Sequence, residues 1–187
     1  MTYAVAITEQ AAREMEESAA WWARERSVEQ SERWYAGIRH PTLPMAYYSE
    51  EQGLGVSVYE RAADGRLTLR SRPRPKPDVT PAPPLAGSDI VLTPDARHLF
   101  MGIRDFAGTG DLIAAYRVTT DGGLEPLPGT PADDVPWGMA VSADGRFLAV
   151  TNYGSKKLTV YRIGAEGGLE RMTGVDVEDR IMDVVVR

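Results

Sequence analysis

Cysteine is missing from all 187 residues, which excludes disulfides, thiolate metal sites and a cysteine nucleophile. Histidine is nearly missing: His40 and His98 are the only two, too few for a multi-histidine metal centre. No metal or other cofactor is therefore expected. Long apolar runs are lacking as well, and nothing approaches the ~20 residues a membrane-spanning helix needs. Basic charge is in deficit, with 21 Lys and Arg against 27 Asp and Glu, so neither nucleic acid nor a membrane surface is an expected partner. Met1 to Thr8 shows no basic stretch followed by an apolar one, so no secretory signal is expected and a cytoplasmic location is the default.

What the chain does have is a repeated phrase. Val58-Tyr59-Glu60-Arg61-Ala62-Ala63-Asp64-Gly65-Arg66-Leu67 returns as Ala115-Tyr116-Arg117-Val118-Thr119-Thr120-Asp121-Gly122-Gly123-Leu124. It returns again as Val160-Tyr161-Arg162-Ile163-Gly164-Ala165-Glu166-Gly167-Gly168-Leu169. Each copy reads as a strand, a tight acidic-Gly turn, and a leucine that opens the next strand. Tyr59 and Tyr116 lie 57 residues apart, Tyr116 and Tyr161 45 apart, which is the spacing of a repeat architecture. A second repeat precedes the tyrosines: Ile90 to Leu99 aligns with Met139 to Leu148, each holding a turn, Thr93-Pro94-Asp95-Ala96 and Ser142-Ala143-Asp144-Gly145. The Asp95 and Asp144 carboxylates are expected to bond their own turn backbone rather than calcium. Strands are predicted at Leu99–Ile103 and Phe147–Asn152, at Leu112–Val118 and Leu158–Ile163, and from Leu124 and Leu169 onward. Four antiparallel strands per unit with short turns predict propeller blades.

Residues 1–40 follow a different pattern. Tyr3 to Thr8 alternates as a strand. Thr8 then caps a helix bearing Ala11, Ala12, Met15, Ala19 and Trp22 at three-to-four spacing, and Ser27 with Gln30 opens a second helical run, Glu29 to Ile38. The segments Ile7-Thr8-Glu9-Gln10-Ala11-Ala12-Arg13, Trp21-Trp22 and Glu32-Arg33-Trp34-Tyr35 resemble the amino-terminal part of RelE/ParE-type toxins. That resemblance ends near His40, before the sheet in which such toxins carry their chemistry. Residues 73–87 form a proline-rich connection, expected to be an extended loop between blades.

The stretch Ser142 to Ser155, and within it Val150-Thr151-Asn152-Tyr153-Gly154, resembles the blade signature of lactonase-type seven-bladed propellers, the 6-phosphogluconolactonase and muconate cycloisomerase group, and the related YVTN repeats. The resemblance covers roughly residues 45–187 and about three of the family's seven blades. It implies a mostly β fold, a partial propeller behind an amino-terminal strand and helical hairpin. It also implies a hydrolase of carbohydrate metabolism that opens or isomerises a sugar lactone or organic acid. Two alternatives stand beside it: a propeller fragment that binds without turnover, and a truncated hybrid carrying a toxin relic. Open blade edges would then favour self-association.

Aligned by their repeats, the units place Glu51, Arg104 and Tyr153 at one position after the second strand, where a purely structural repeat would keep one residue type. The resemblance puts that position at the channel mouth, beside Pro136-Trp137. A guanidinium can clamp a carboxylate or phosphate and stabilise developing negative charge, and a carboxylate can act as general base. Glu51 and Arg104 are therefore the catalytic candidates, and Trp137, Asn152 and Tyr153 the substrate-binding ones. The family usually has Pro-Arg where this chain has Pro136-Trp137, so one cation is replaced by an aromatic ring. Neither His40 nor His98 falls at a matching position.

Overall fold

A computed structural model describes residues 38–49, 54–76, 85–105 and 110–181, with 183, 184 and 186. The toxin-like segment and the helical hairpin, as far as residue 37, lie outside the described residues, as does Glu51. The chain divides into two compact units, Met1–Tyr48 with Ser57–Ser71, and Ser49–Val56 with Arg72–Arg187.

The first unit holds a four-stranded antiparallel sheet of order β1-β2-β3-β4, formed by β1 (Ile38–Arg39), β2 (Met45–Ser49), β3 (Val56–Arg61) and β4 (Leu67–Ser71). Ile38 pairs with Tyr47 across β1 and β2, which corrects the helical reading that ran through Ile38. The three-to-four spacing there carries no strand signal, and the partner strand decides the backbone. Tyr47 is fully buried, and Tyr48 meets the edge of Tyr59 with ring centroids 5.5 Å apart.

In the second unit β5 (Leu85–Leu92), β6 (His98–Asp105), β7 (Leu112–Val118) and β8 (Leu124–Pro131) form one antiparallel meander. The strands β9 (Pro136–Val141), β10 (Phe147–Asn152), β11 (Lys157–Ile163) and β12 (Leu169–Asp176) form another of the same order. β5 begins at Leu85 and so takes up the last three residues of the expected loop, because no proline follows Pro84 to block its ladder. Upstream, Lys76 forms an isolated parallel bridge to Pro128, and its carbonyl accepts the Gly129 N–H at 2.6 Å.

Burial explains the strand sequences. β6 is buried at all but one of its positions, and its middle, Leu99 to Ile103, reads as a continuous apolar run rather than an alternation. β12 has no buried position and carries charges along its length. Between the two meanders lies one core: Val91, Phe100, Ile113 and Ala115 from one side, Met139, Leu148, Val150 and Tyr161 from the other. Each fully buried large side chain contributes roughly 1.5–3 kcal/mol, more than any single turn hydrogen bond at about 1 kcal/mol. The core therefore fixes the packing, and the turns fix the register.

Those turns follow the expected chemistry. Thr93 Oγ1 donates to Asp95 Oδ1 at 2.6 Å and the Arg97 N–H donates to the same oxygen at 3.1 Å. Ser142 and Arg146 repeat this on Asp144 at 2.6 and 3.1 Å. The Ser142 hydroxyl, then the Arg146 N–H, hold the Asp144 carboxyl below the usual carboxylate range. At the following position Ala96 (φ 56°) and Gly145 (φ 71°) both occupy the left-handed region.

Candidate functional site

At the opposite end of these sheets the backbone is irregular. Val135 adopts φ 56°, an unfavourable conformation for a β-branched residue, directly before Pro136. Three contacts hold it there. Its carbonyl accepts the Tyr153 N–H at 2.8 Å, the neighbouring Asp134 carbonyl accepts the Gly154 N–H at 3.1 Å, and the Asp111 carboxylate takes the Val135 N–H. Asp111 also accepts the Asp105 N–H at 2.9 Å. Burial pushes the Asp111 carboxyl above its ordinary range, and the nearby Asp134 and Asp105 carboxylates act in the same direction. A Cβ at Gly154 would run into the Asp134 carboxylate, which would have to move aside.

This clamp brings together three of the five candidates. Arg104, near the end of β6, lays its guanidinium 4.2 Å from the Trp137 ring centroid. Trp137, second residue of β9, meets the Tyr153 ring at 5.2 Å and a 41° tilt. All three are half-buried. Asn152 sits elsewhere: it is fully buried, and its Nδ2 reaches Val150 O at 3.2 Å, Lys157 O at 3.3 Å and Thr159 Oγ1 at 3.1 Å. Its amide braces the turn that presents Tyr153. Thr159 in turn donates to Asp133 Oδ2 at 2.5 Å, which also takes Arg171 Nη2 at 2.9 Å. Burial alone would raise the Asp133 carboxyl, but the Thr159 hydroxyl and Arg171 outweigh it and hold the group low.

A fourth member was not anticipated. Arg180 places its guanidinium 4.9 Å from the Tyr153 ring centroid, with Nη1 3.5 Å from Tyr153 Oη. Its segment is tied to the same turn by the Val177 N–H on Lys156 O at 2.9 Å and by Lys156 Nζ on Glu178 O at 3.3 Å. The signal was present in the repeat: Arg180 follows Leu169 by the same count as Val135 follows Leu124. Further in, Asp89 sits at a bulge in β5, where its Oδ1 accepts the Ile90 N–H at 2.8 Å and its Oδ2 the Met139 N–H at 2.9 Å, stitching β5 to β9. Among the described residues no group of three or more His, Asp or Glu is placed to hold a metal.

Four-stranded meanders with buried middle strands and an exposed outer strand, repeated along the chain, define the blades of a β-propeller. A family model described as lactonase, 7-bladed beta-propeller, matches residues 36–184, and the chain belongs to that family. It is 28% identical over 117 residues to a 6-phosphogluconolactonase of Pectobacterium carotovorum, covering 62% of this chain and 31% of that protein. To a 6-phosphogluconolactonase of Yersinia enterocolitica it is 30% identical over 114 residues, covering 58% of this chain and 29% of the relative. The matches thus span about a third of the curated relatives' length. Among solved structures, the periplasmic gluconolactonase PpgL of Pseudomonas aeruginosa superimposes with a TM-score of 0.62 at 24% identity, covering 76% of this chain and 40% of that one. At that identity the likeness speaks for the fold alone.

Proposed function

We propose that this protein is a lactonase-type propeller that opens a sugar lactone of the 6-phosphogluconolactone class. The observation that carries the reading is the Arg104 guanidinium held at 4.2 Å over Trp137, beside Tyr153, in a chain of the lactonase family. In the proposed reaction water adds to the lactone carbonyl, with Glu51 taking its proton. The carbonyl oxygen gains negative charge in the transition state, and Arg104 supplies permanent positive charge and in-plane N–H donors to it. The carbonyl carbon then releases the ring oxygen, which takes up a proton. A carboxylate and a hydroxyl result, and the books balance without a cofactor. Stacking on Trp137 orients the guanidinium in advance, so little ordering is left for the reacting state.

The test is hydrolysis of 6-phosphogluconolactone by wild type, Arg104→Ala and Glu51→Gln, measured against spontaneous opening. Catalysis above background, with kcat/KM reduced about 100-fold in each variant, is expected. A wild-type rate equal to background, or variants equal to wild type, would end the hydrolytic reading. Binding of the sugar acid without hydrolysis would instead mark a non-catalytic binding module.

A further inference from the structure

The rings of the site are already occupied by cations. Arg104, Trp137, Tyr153 and Arg180 form a chain of contacts at 4.2, 5.2 and 4.9 Å, so two guanidiniums engage two aromatic rings that also engage each other. A neutral sugar usually recruits such rings by laying a face on them, and here the rings are committed to partners. A guanidinium stacked by its face still directs its N–H groups outward in its own plane, where a carboxylate or phosphate binds. It also cannot lose its proton, so its charge is permanent.

Arg180 is the more adaptable of the two cations. It is exposed, and among the described residues no carboxylate forms an ion pair with it. Its hydrogen bond to Tyr153 Oη is long at 3.5 Å. A charge-assisted hydrogen bond to an anion outweighs an exposed cation–π contact, so an incoming anion can take the guanidinium edge or draw it off the ring. Meanwhile Val177 and Glu178 keep its segment fastened to the 153–156 turn, which limits how far Arg180 can travel.

We propose that Arg180 is a specificity-determining residue: it recognises an anionic substituent of the ligand, so the site takes a phosphorylated sugar lactone or sugar acid over its uncharged or singly charged counterpart. The proposal rests on the site described under Proposed function, and it concerns recognition rather than turnover.

Binding of 6-phosphogluconate and of gluconate to wild type, Arg180→Ala and Arg180→Lys, by calorimetry, tests it independently of catalysis. Wild type should prefer 6-phosphogluconate. Arg180→Ala should weaken that ligand about tenfold and gluconate less than twofold, and Arg180→Lys, which keeps the charge, should recover part of the loss. Equal weakening of both ligands, no weakening of either, or no preference in wild type would overturn the proposal. Hydrolysis of the phosphorylated and unphosphorylated lactones separates the two ideas. Preferential binding without hydrolysis removes the lactonase reading and keeps Arg180. Hydrolysis with both substrates equally sensitive to Arg180→Ala keeps the lactonase and removes Arg180. Thermal melting of each variant checks that the fold is unchanged, as expected for an exposed residue.

Discussion

The two ends of the sheets in the second unit are built on opposite rules. At one end the same short-range device recurs: Thr93 with Asp95, Thr119 with Asp121, Ser142 with Asp144, each a hydroxyl on a carboxylate two residues on. At the other end nothing recurs. Arg104, the Val135-Pro136-Trp137 corner, Tyr153 and Arg180 differ in residue type and backbone, and contacts between distant segments hold them. Local chemistry repeats where it only has to reverse the chain. Where it varies, a strained Val135 is tolerated because contacts between distant segments hold it.

The two ends also differ in what breaks them. The largest stability effect is expected at Gly167, in the turn after β11, whose φ is +82° and whose Cβ would stand 2.5 Å from His98 Cδ2 and 2.8 Å from Leu127 Cδ1. Gly167→Ala combines left-handed strain with a clash between the two meanders and should cost about 3 kcal/mol, read from the denaturant midpoint. A loss under 1 kcal/mol would mean the two sheets yield more easily than their core implies. Next comes Thr151, fully buried at the site end, whose Oγ1 accepts the Gly138 N–H at 2.8 Å and reaches Gly138 O at 3.2 Å. Thr151→Val keeps the shape, orphans both groups, and should cost about 2 kcal/mol. It should also disturb Trp137, the neighbour of Gly138, detectable as a change in tryptophan emission.

Gly145→Ala should cost only about 1 kcal/mol, because the sister turn already accepts Ala96 at φ 56° and the new methyl would meet Pro94 Cδ at an ordinary 3.6 Å. A larger loss would show that the two turns are less equivalent than their hydrogen bonds. The smallest effect is that of pH on His98. Burial, helped by Arg97 and Arg117 and opposed by Asp95 and Glu166, lowers its pKa below 6.5 in the folded chain. The unfolded chain therefore takes up the proton first as pH falls, and stability should decline from pH 7 to 5 with a slope of at most about one proton per histidine. His40, lowered by burial, adds in the same direction. His98→Gln should flatten part of the slope, and stability that rises on acidification would contradict the assignment.

Sequence alone reached the turn-bounded elements closely and the distantly held ones poorly. Leu112–Val118 and Phe147–Asn152 were predicted at their observed limits, and Leu124 and Leu169 do open β8 and β12. For β8, β10 and β12 a tight turn fixes where the ladder can begin. β1 was missed because two residues carry no periodicity of their own and depend on pairing with β2. At the candidate site, the repeat register pairs Arg104 with Tyr153 and the loop entering the inner strand adds Trp137, and the structure puts the three in contact. Arg180 was missed because its equivalent in the preceding repeat is Val135, so the repeat marks the position but not a cation. Nothing in the residue type of Val135 announces a left-handed backbone; the Asp111 carboxylate and the Tyr153 N–H impose it.

The proposed lactonase reading puts the chemistry at the irregular end. Arg104→Ala and Arg146→Ala compare the two ends with one kind of substitution, since Arg146 is an exposed turn residue beside Asp144. The measurement is kcat/KM for 6-phosphogluconolactone. A fall of about 100-fold is expected for Arg104→Ala and no change for Arg146→Ala; equal values for the two variants would contradict that reading.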